Sequence, residues 1–478
     1  MDRIIRMHYL RSRWRGASSR RWLWLAGLVA LVILLLPTPG GMPVEGQRML
    51  ALLAFFAISF VSEALPVGAS FPLVLTWIIF LGVRPPIEAI ASFAHDSALF
   101  IMGALMMARV LVRRNLHQRA LTLFLRMAPP RVPALLAVVM VFAAMSSAII
   151  SDHTVAALLL PVGTTLVVAA GGVREHPRLA KLFMLAIAFS CAIGGMATPS
   201  GGSRNVIMMA YLQDIAGVQV SYRMWLAMAL PITVILIPIV GVILFFLYRP
   251  ERQDLRHIEE QVVHRMQRNG SMDTGDWTTL GIFALVLVAW ITVGEQYGIG
   301  LIAIGGALVY LLVGLADWDE DYQHINWGIV LLYFAAIAFG RALATSGAAV
   351  WLADRIMVGV QSKLGLDSGI GLALSSSAFM SLFSQTMSNG PAVALLGPVV
   401  LESARLSGTS SVLVGMATAL SSSFAYMMII GTPSNAIIYS SGYLEARDFV
   451  RAGFWVTIAS LVVLMLVATL WWPRLGVM

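Results

Sequence analysis

Runs of apolar residues broken by short polar segments occupy positions 22–36, 48–65, 71–83, 97–112, 224–248, 277–293, 299–313, 325–340 and 449–472. Several, 48–65, 224–248, 277–293 and 449–472 among them, reach the roughly 17–25 residues that a helix needs to cross a hydrocarbon core. The pattern predicts an all-α polytopic membrane protein. Composition agrees, because 59% hydrophobic and 12% charged residues lie far from the soluble average. The first run follows an arginine-rich start and could pass for a secretory signal, but with so many later spans it reads as an uncleaved first helix.

Polar interruptions within the apolar sequence come in pairs. "ISDHTVAALLLP" (150–161) is echoed by "MSNGPAVALLGP" (387–398), with Ser147, Ser151 and Pro161 each 237 positions before Ser384, Ser388 and Pro398. "ALMMARVLV" around Arg109 resembles "AAIAFGRALA" around Arg341, an offset of 232, and each precedes an amphipathic stretch, at 113–127 and 345–364. "GGSRN" (201–205) lies 230 positions before "GTPSN" (431–435). Such self-similarity points to two halves. A basic segment, 1–21, precedes the first half, 22–248; a charged linker, 249–276, leads to the second, 277–478. Each half is expected to hold scaffold helices, an interfacial helix, a re-entrant hairpin (133–171 and 369–404) and a broken helix (177–212 and 409–440). The last helix spans 449–472.

Basic residues test the orientation. With the N-terminus inside and both hairpins re-entrant, cytoplasmic segments carry 22 of the 32 Lys and Arg, as the positive-inside rule requires. The halves then insert with opposite orientation. The net charge of +8 is therefore boundary charge and gives no reason to invoke nucleic acid. Lone Cys191 allows no internal disulfide.

Non-helical backbone within a bilayer survives only where protein or a cavity satisfies it. An interrupted helix presents carbonyls and side-chain oxygens that suit Na⁺, and an N–H end that suits an anion. One Gly- or Pro-containing break would be ordinary packing; four in matched positions predict a site for a cation and an anion together.

The segments "ISDHTVAALLLP", "AIGGMATPSGGSRN", "MSNGPAVALLGP" and "SSFAYMMIIGTPSNAIIYSSG" resemble the signatures of the divalent anion/sodium symporter family, within the ion transporter superfamily, over nearly the whole chain. The resemblance implies about 11 transmembrane helices, two re-entrant hairpins, a homodimer, an elevator motion, and carriage of dicarboxylates, citrate or sulfate-like oxyanions with sodium. Carried over by position, it implies a first sodium site at Ser147, Ser151, Asp152 and Gly201, and a second at Ser384, Asn389 and Gly431. The anion would lie near His153, Gly390, Thr432 and Pro433.

Departures from the family pattern concentrate in the first half. Asp152 and His153 replace the usual Asn and Thr of the tip, Gly202 and Arg204 stand where Thr and Pro are common, and Gly390 replaces the second Thr. Three functional readings stay open beside a static salt bridge. Asp152 strengthens a sodium site and Arg204 attracts the anion; or the two pair and the guanidinium replaces the first sodium; or Asp152 and His153 take up protons. In the latter two, the carrier becomes a sodium-independent exchanger or is proton-coupled.

Other polar groups have plainer readings. His95 and Asp96 mark a helix boundary, the acidic group at 317–321 is an interhelical loop, and Trp471 and Trp472 are interfacial anchors. The sequence has no Walker loop, no His-Glu-x-x-His, no Gly-x-Ser-x-Gly and no Cys/His cluster, so neither nucleotide-driven transport nor an intramembrane enzyme is expected. The expectation is a secondary active carrier of a small anion in a bacterial inner membrane, with a cytoplasmic N-terminus.

Overall fold

The structure is a computed structural model that describes residues 20–91, 95–127, 129, 131–251, 272–358, 366 and 369–477. The basic start and most of the charged linker lie outside the described residues, as does the end of the second amphipathic stretch. All regular structure among the described residues is helical.

Seven helices are long and apolar enough to span a membrane: Val44–Val61, Val132–Ile149, Pro177–Gly194, Tyr222–Leu247, Thr274–Thr292, Trp327–Thr345 and Ala446–Leu470. Five further apolar helices have only 10–17 residues, too short to cross alone. They belong largely to the places where polar residues interrupt the apolar runs. Pro177 opens its helix where a missing N–H costs nothing, Ser221 caps Met224 N at 3.1 Å, and Asp273 with Asp276 forms a capping box ahead of Thr274–Thr292.

Two groups of helices build the molecule. In the first, Asp96–Arg113 lies against Ile299–Leu312. Gly103 permits the approach: a Cβ there would run into the Ala303 backbone, and Gly306 similarly faces Met107 and Val286. Without a hydrophobic drive between helices in lipid, such small-residue contacts supply the packing. Buried Asp321 ties one end of this pair by pairing with Arg113 and with Arg109 Nε at 3.7 Å. That accounts for the acidic loop, and no metal-holding group of acidic, His or Cys residues occurs among the described residues.

The second group interleaves the two halves. Ser203–Ala216, which continues the first broken helix, packs on Asn389–Leu406 of the second hairpin. Pro433–Tyr439, which continues the second, packs on Asp152–Ala169 of the first. Tyr211 fastens the crossing, its hydroxyl lying 2.6 Å from the Ala336 carbonyl and 3.0 Å from that of Ala394. Cys191 is buried among these helices.

One terminal residue departs from the sequence expectation. Trp472 is fully buried and donates to the Met228 carbonyl at 3.2 Å, so only half-exposed Trp471 suits an interfacial anchor. The apolar sequence on both sides hid the difference.

Replacing Gly103 by Leu should part the Asp96–Arg113 and Ile299–Leu312 helices and destabilise the protein by about 1–3 kcal/mol. Thermal unfolding in detergent reads this as a lowered Tm, while Gly305→Leu, at a position with open space around it, should leave Tm close to that of the parent.

Candidate functional site

Each hairpin is two helices joined by a short tip. Val132–Ile149 meets Asp152–Ala169 at Ile150 and Ser151, and Gly369–Ser384 meets Asn389–Leu406 across residues 385–388. The tips differ in backbone. Ser151 takes φ +114°, rare for a residue with a Cβ, whereas Ser388 is extended at φ −60°. Neither serine caps its helix by a side-chain hydrogen bond; in the first helix Asp152 Oδ1 takes up the His153 N–H instead.

The breaks are built alike. Pro177–Gly194 ends, a short 3-10 turn at Pro199–Gly201 follows, and helix resumes at Ser203. Ser411–Ser421 ends, a turn at Ile429–Gly431 follows, and helix resumes at Pro433. A buried asparagine closes each break. Asn205 Nδ2 donates to the Gly195 and Thr198 carbonyls at 2.8 and 2.7 Å. Asn435 Nδ2 donates to the Ala425 and Met428 carbonyls at 3.0 and 3.1 Å. Both acceptors shift by 230 positions with the donor, so the sequence echo is also an echo of hydrogen bonds.

The same register corrects one alignment. Ser203 corresponds to Pro433 and Arg204 to Ser434, so Arg204 does not stand at the proline position expected from sequence. A side chain on Gly201 would press on the Ser147 carbonyl, 2.9 Å from its Cβ, and one on Gly431 would come 3.3 Å from the Ser384 carbonyl. The tip helix and the break thus touch through glycine in both halves.

Asn389 has two possible amide orientations with different chemistry. With its nitrogen turned inward it donates to the Ser422 and Gly431 carbonyls at 2.9 and 3.1 Å. This orientation satisfies both ends of the amide; with its oxygen turned inward, three acceptors would face one another and need a cation or a water to bridge them. Ser384, fully buried, lies one turn before this tip.

In the first half the corresponding position is charged. Arg204 is 2% exposed; its Nη1 donates to Asp152 Oδ2 at 3.2 Å and its Nη2 to the Ala192 carbonyl at 3.2 Å. Asp152 Oδ1 accepts from His153 N at 2.7 Å, and His153 Nδ1 lies 3.3 Å from it. Breaking such a buried ion pair by removing one partner typically costs about 3–5 kcal/mol.

Both tips and both breaks meet at one cavity of about 290 Å³, lined in part by Ser151, Asp152, His153, Arg204, Asn389 and Pro433. Ser147, Gly201, Ser384, Gly390, Gly431 and Thr432 are buried beside the tips and breaks rather than on its wall. Gly390 lies against Ser203, whose Oγ would be 2.5 Å from an added Cβ. Thr432 caps Asn435 N at 3.1 Å, which engages its hydroxyl locally. Sequence reasoning missed the opposite wall: Tyr333, Asn326 and Leu332 come from the helix Trp327–Thr345 and its cap. Inside an apolar run, nothing marks Tyr333 as different from packing. A larger cavity of about 540 Å³ lies beside His117 along the body of the first hairpin, Val155 to Val168, and is lined by neither tip and neither break.

The family described as "Sodium:sulfate symporter transmembrane region" matches residues 19–478. A "Sodium-dependent dicarboxylate transporter SdcS" of Staphylococcus aureus (strain bovine RF122 / ET3-1) is 24% identical over 473 residues, covering 93% of this chain and 89% of that protein. The protein of the same description from strain USA300 is 23% identical with the same coverage. Among solved structures, the Alcanivorax borkumensis YdaH transporter is similar in fold, with a TM-score of 0.56 at 14% identity, over 89% of this chain and 98% of that one. The matched family and these relatives are transporters rather than enzymes.

The two asparagine clamps should matter equally. Asn205→Ala and Asn435→Ala each strand two carbonyls in a buried break, and each is expected to destabilise by about 1–3 kcal/mol. Thermal unfolding of both variants checks this; a loss in one half alone would contradict the structural equivalence of the breaks.

Proposed function

We propose, from the premise that this chain belongs to the sodium:sulfate symporter family, that it is a secondary active transporter of a small anion, coupled to sodium. The substrate is a dicarboxylate, citrate or a sulfate-like oxyanion. The observation that carries the reading is the convergence of Asn389 with the Ser422 and Gly431 carbonyls at the rim of a cavity shared by both hairpin tips.

In this reading the Asn389 side-chain oxygen, the Ser422 and Gly431 carbonyls and the neighbouring Ser384 hold a sodium ion. Neutral oxygens at this spacing suit a hard monovalent cation. The anion enters the cavity beside His153, Gly390, Thr432 and Pro433. Three helices, Asp152–Ala169, Ser203–Ala216 and Asn389–Leu406, begin there, and their positive ends favour negative charge. The cavity volume of about 290 Å³ lies at the small end of ligand pockets, which run from about 300 to 1,000 Å³, and suits a small anion.

The wider assignment rests on the family resemblance and on the charge asymmetry of the chain. The carrier works as a homodimer, with a transport domain of hairpins and broken helices moving by an elevator motion against scaffold helices. The two halves insert with inverted topology, and the protein sits in a bacterial inner membrane with its N-terminus in the cytoplasm.

Thermal unfolding in detergent with succinate, citrate or sulfate, each in NaCl or in choline chloride, tests the reading. At 100-fold excess over Kd a bound ligand adds about 2.7 kcal/mol to the stability of the folded form. One of the three anions is expected to raise Tm in NaCl and not in choline, and Asn389→Ala should abolish the sodium effect. An anion effect of equal size in choline would remove sodium from the proposal.

A further inference from the structure

The two halves of the site differ in one respect that the repeat isolates. Asn389 corresponds to Asp152, Ser422 to Ala192, and Gly431 to Gly201, by the offsets of 237 at the tips and 230 at the breaks. In the second half the Asn389 amide lies directly against the Ser422 carbonyl, 2.9 Å away, with no side chain between them. In the first half, the guanidinium of Arg204 bridges the corresponding pair, Asp152 Oδ2 and the Ala192 carbonyl, at 3.2 Å each. Glycines make room for it: a Cβ on Gly195 would lie 2.9 Å from Arg204 Nη2, and one on Gly202 would lie 2.7 Å from Nη1.

We infer that the Arg204 guanidinium is a resident cation occupying the first of the two cation positions, so that this half of the site takes no sodium ion. The inference deepens the reading above and rests on it for the identity of the second position as a sodium site. Its chemistry is that of charge and donors. Oxygens that in the neutral half would coordinate a metal ion here accept hydrogen bonds from a planar cation that cannot lose its proton. Asp152 in place of an asparagine matches the change, since a carboxylate balances a permanent positive charge where an amide would leave it uncompensated. The two departures therefore form one replacement: an exchangeable ion and a neutral ligand become a tethered ion and a charged ligand.

Arg204 corresponds to Ser434 and Asp152 to Asn389, so the repeat itself supplies the reversing substitutions. The probe is sodium alone, titrated against choline at constant ionic strength, with thermal stability of the purified full-length protein as readout and without added anion. Wild type is expected to follow a single-site curve with a Hill slope of about one. The double variant Arg204→Ser with Asp152→Asn should gain a second sodium-dependent stabilisation and a slope approaching two, whereas Arg204→Lys, which keeps a fixed charge, should titrate like wild type. A wild-type slope near two overturns the inference, and so does a folded, monodisperse double variant that titrates like wild type. Should the double variant fail to fold, the wild-type slope decides between the same two outcomes. If wild type shows no sodium response while the double variant gains one, the inference stands and the sodium reading of the Asn389 position falls, which keeps the two claims separable.

Discussion

Everything at the centre of this protein depends on how backbone carbonyls are satisfied where helices stop inside a low-dielectric environment. A broken helix exposes polar groups that water cannot reach, and each unpaired group is costly. Asn205 and Asn435 meet that requirement with the same two hydrogen bonds, to carbonyls 10 and 7 residues earlier in each case. With those acceptors engaged, other carbonyls of the break, Gly201 and Gly431 among them, stay available beside the tips. The clamp thus does two things: it makes the break tolerable and selects which oxygens remain for a ligand.

Interleaving then turns two breaks into one site. The second piece of each broken helix packs on the hairpin of the other half, so neither half can complete a cavity alone. Gly390 on Ser203, and Tyr211 reaching both Ala336 and Ala394, show how tightly the crossing is fitted. Distortion of either hairpin would therefore reach the ligands contributed by both, a stronger coupling than two independent sites would have.

Much of this was legible in the sequence, because a constant offset survives where identity does not. The serine tips, the glycines of the breaks and the two asparagines kept their spacing, and spacing is what fixes which carbonyl each side chain can reach. Other features left no trace. Tyr333 sits among apolar neighbours in the helix Trp327–Thr345 and is distinguished only by what the tertiary fold puts opposite it. The positive φ of Ser151 has no local signature, since no glycine or asparagine marks the position. Arg204 could be recognised as out of place, and the offset of 230 sets it opposite Ser434; the hydrogen bonds of the two breaks follow the same register. Trp472 looked interfacial because its neighbours in sequence are; burial is decided by Tyr222–Leu247, more than 200 residues away.

The asymmetry between halves has an energetic consequence for coupling. Two sodium ions carried with a dianion move no net charge, whereas one sodium with a dianion moves one negative charge inward, against a membrane potential negative inside. That step costs about 2.3 kcal/mol per 100 mV, while a tenfold sodium gradient returns about 1.4 kcal/mol. A resident guanidinium cannot make up the difference: it returns with the empty carrier in every cycle and, paired with Asp152, contributes no net charge in either direction. A carrier so built runs inward most readily with a monoanionic form of its substrate, or by exchanging one anion for another, where the charges of the outward and inward steps cancel. The nature of the first cation position therefore bears on substrate charge and on transport mode, as well as on the number of ions.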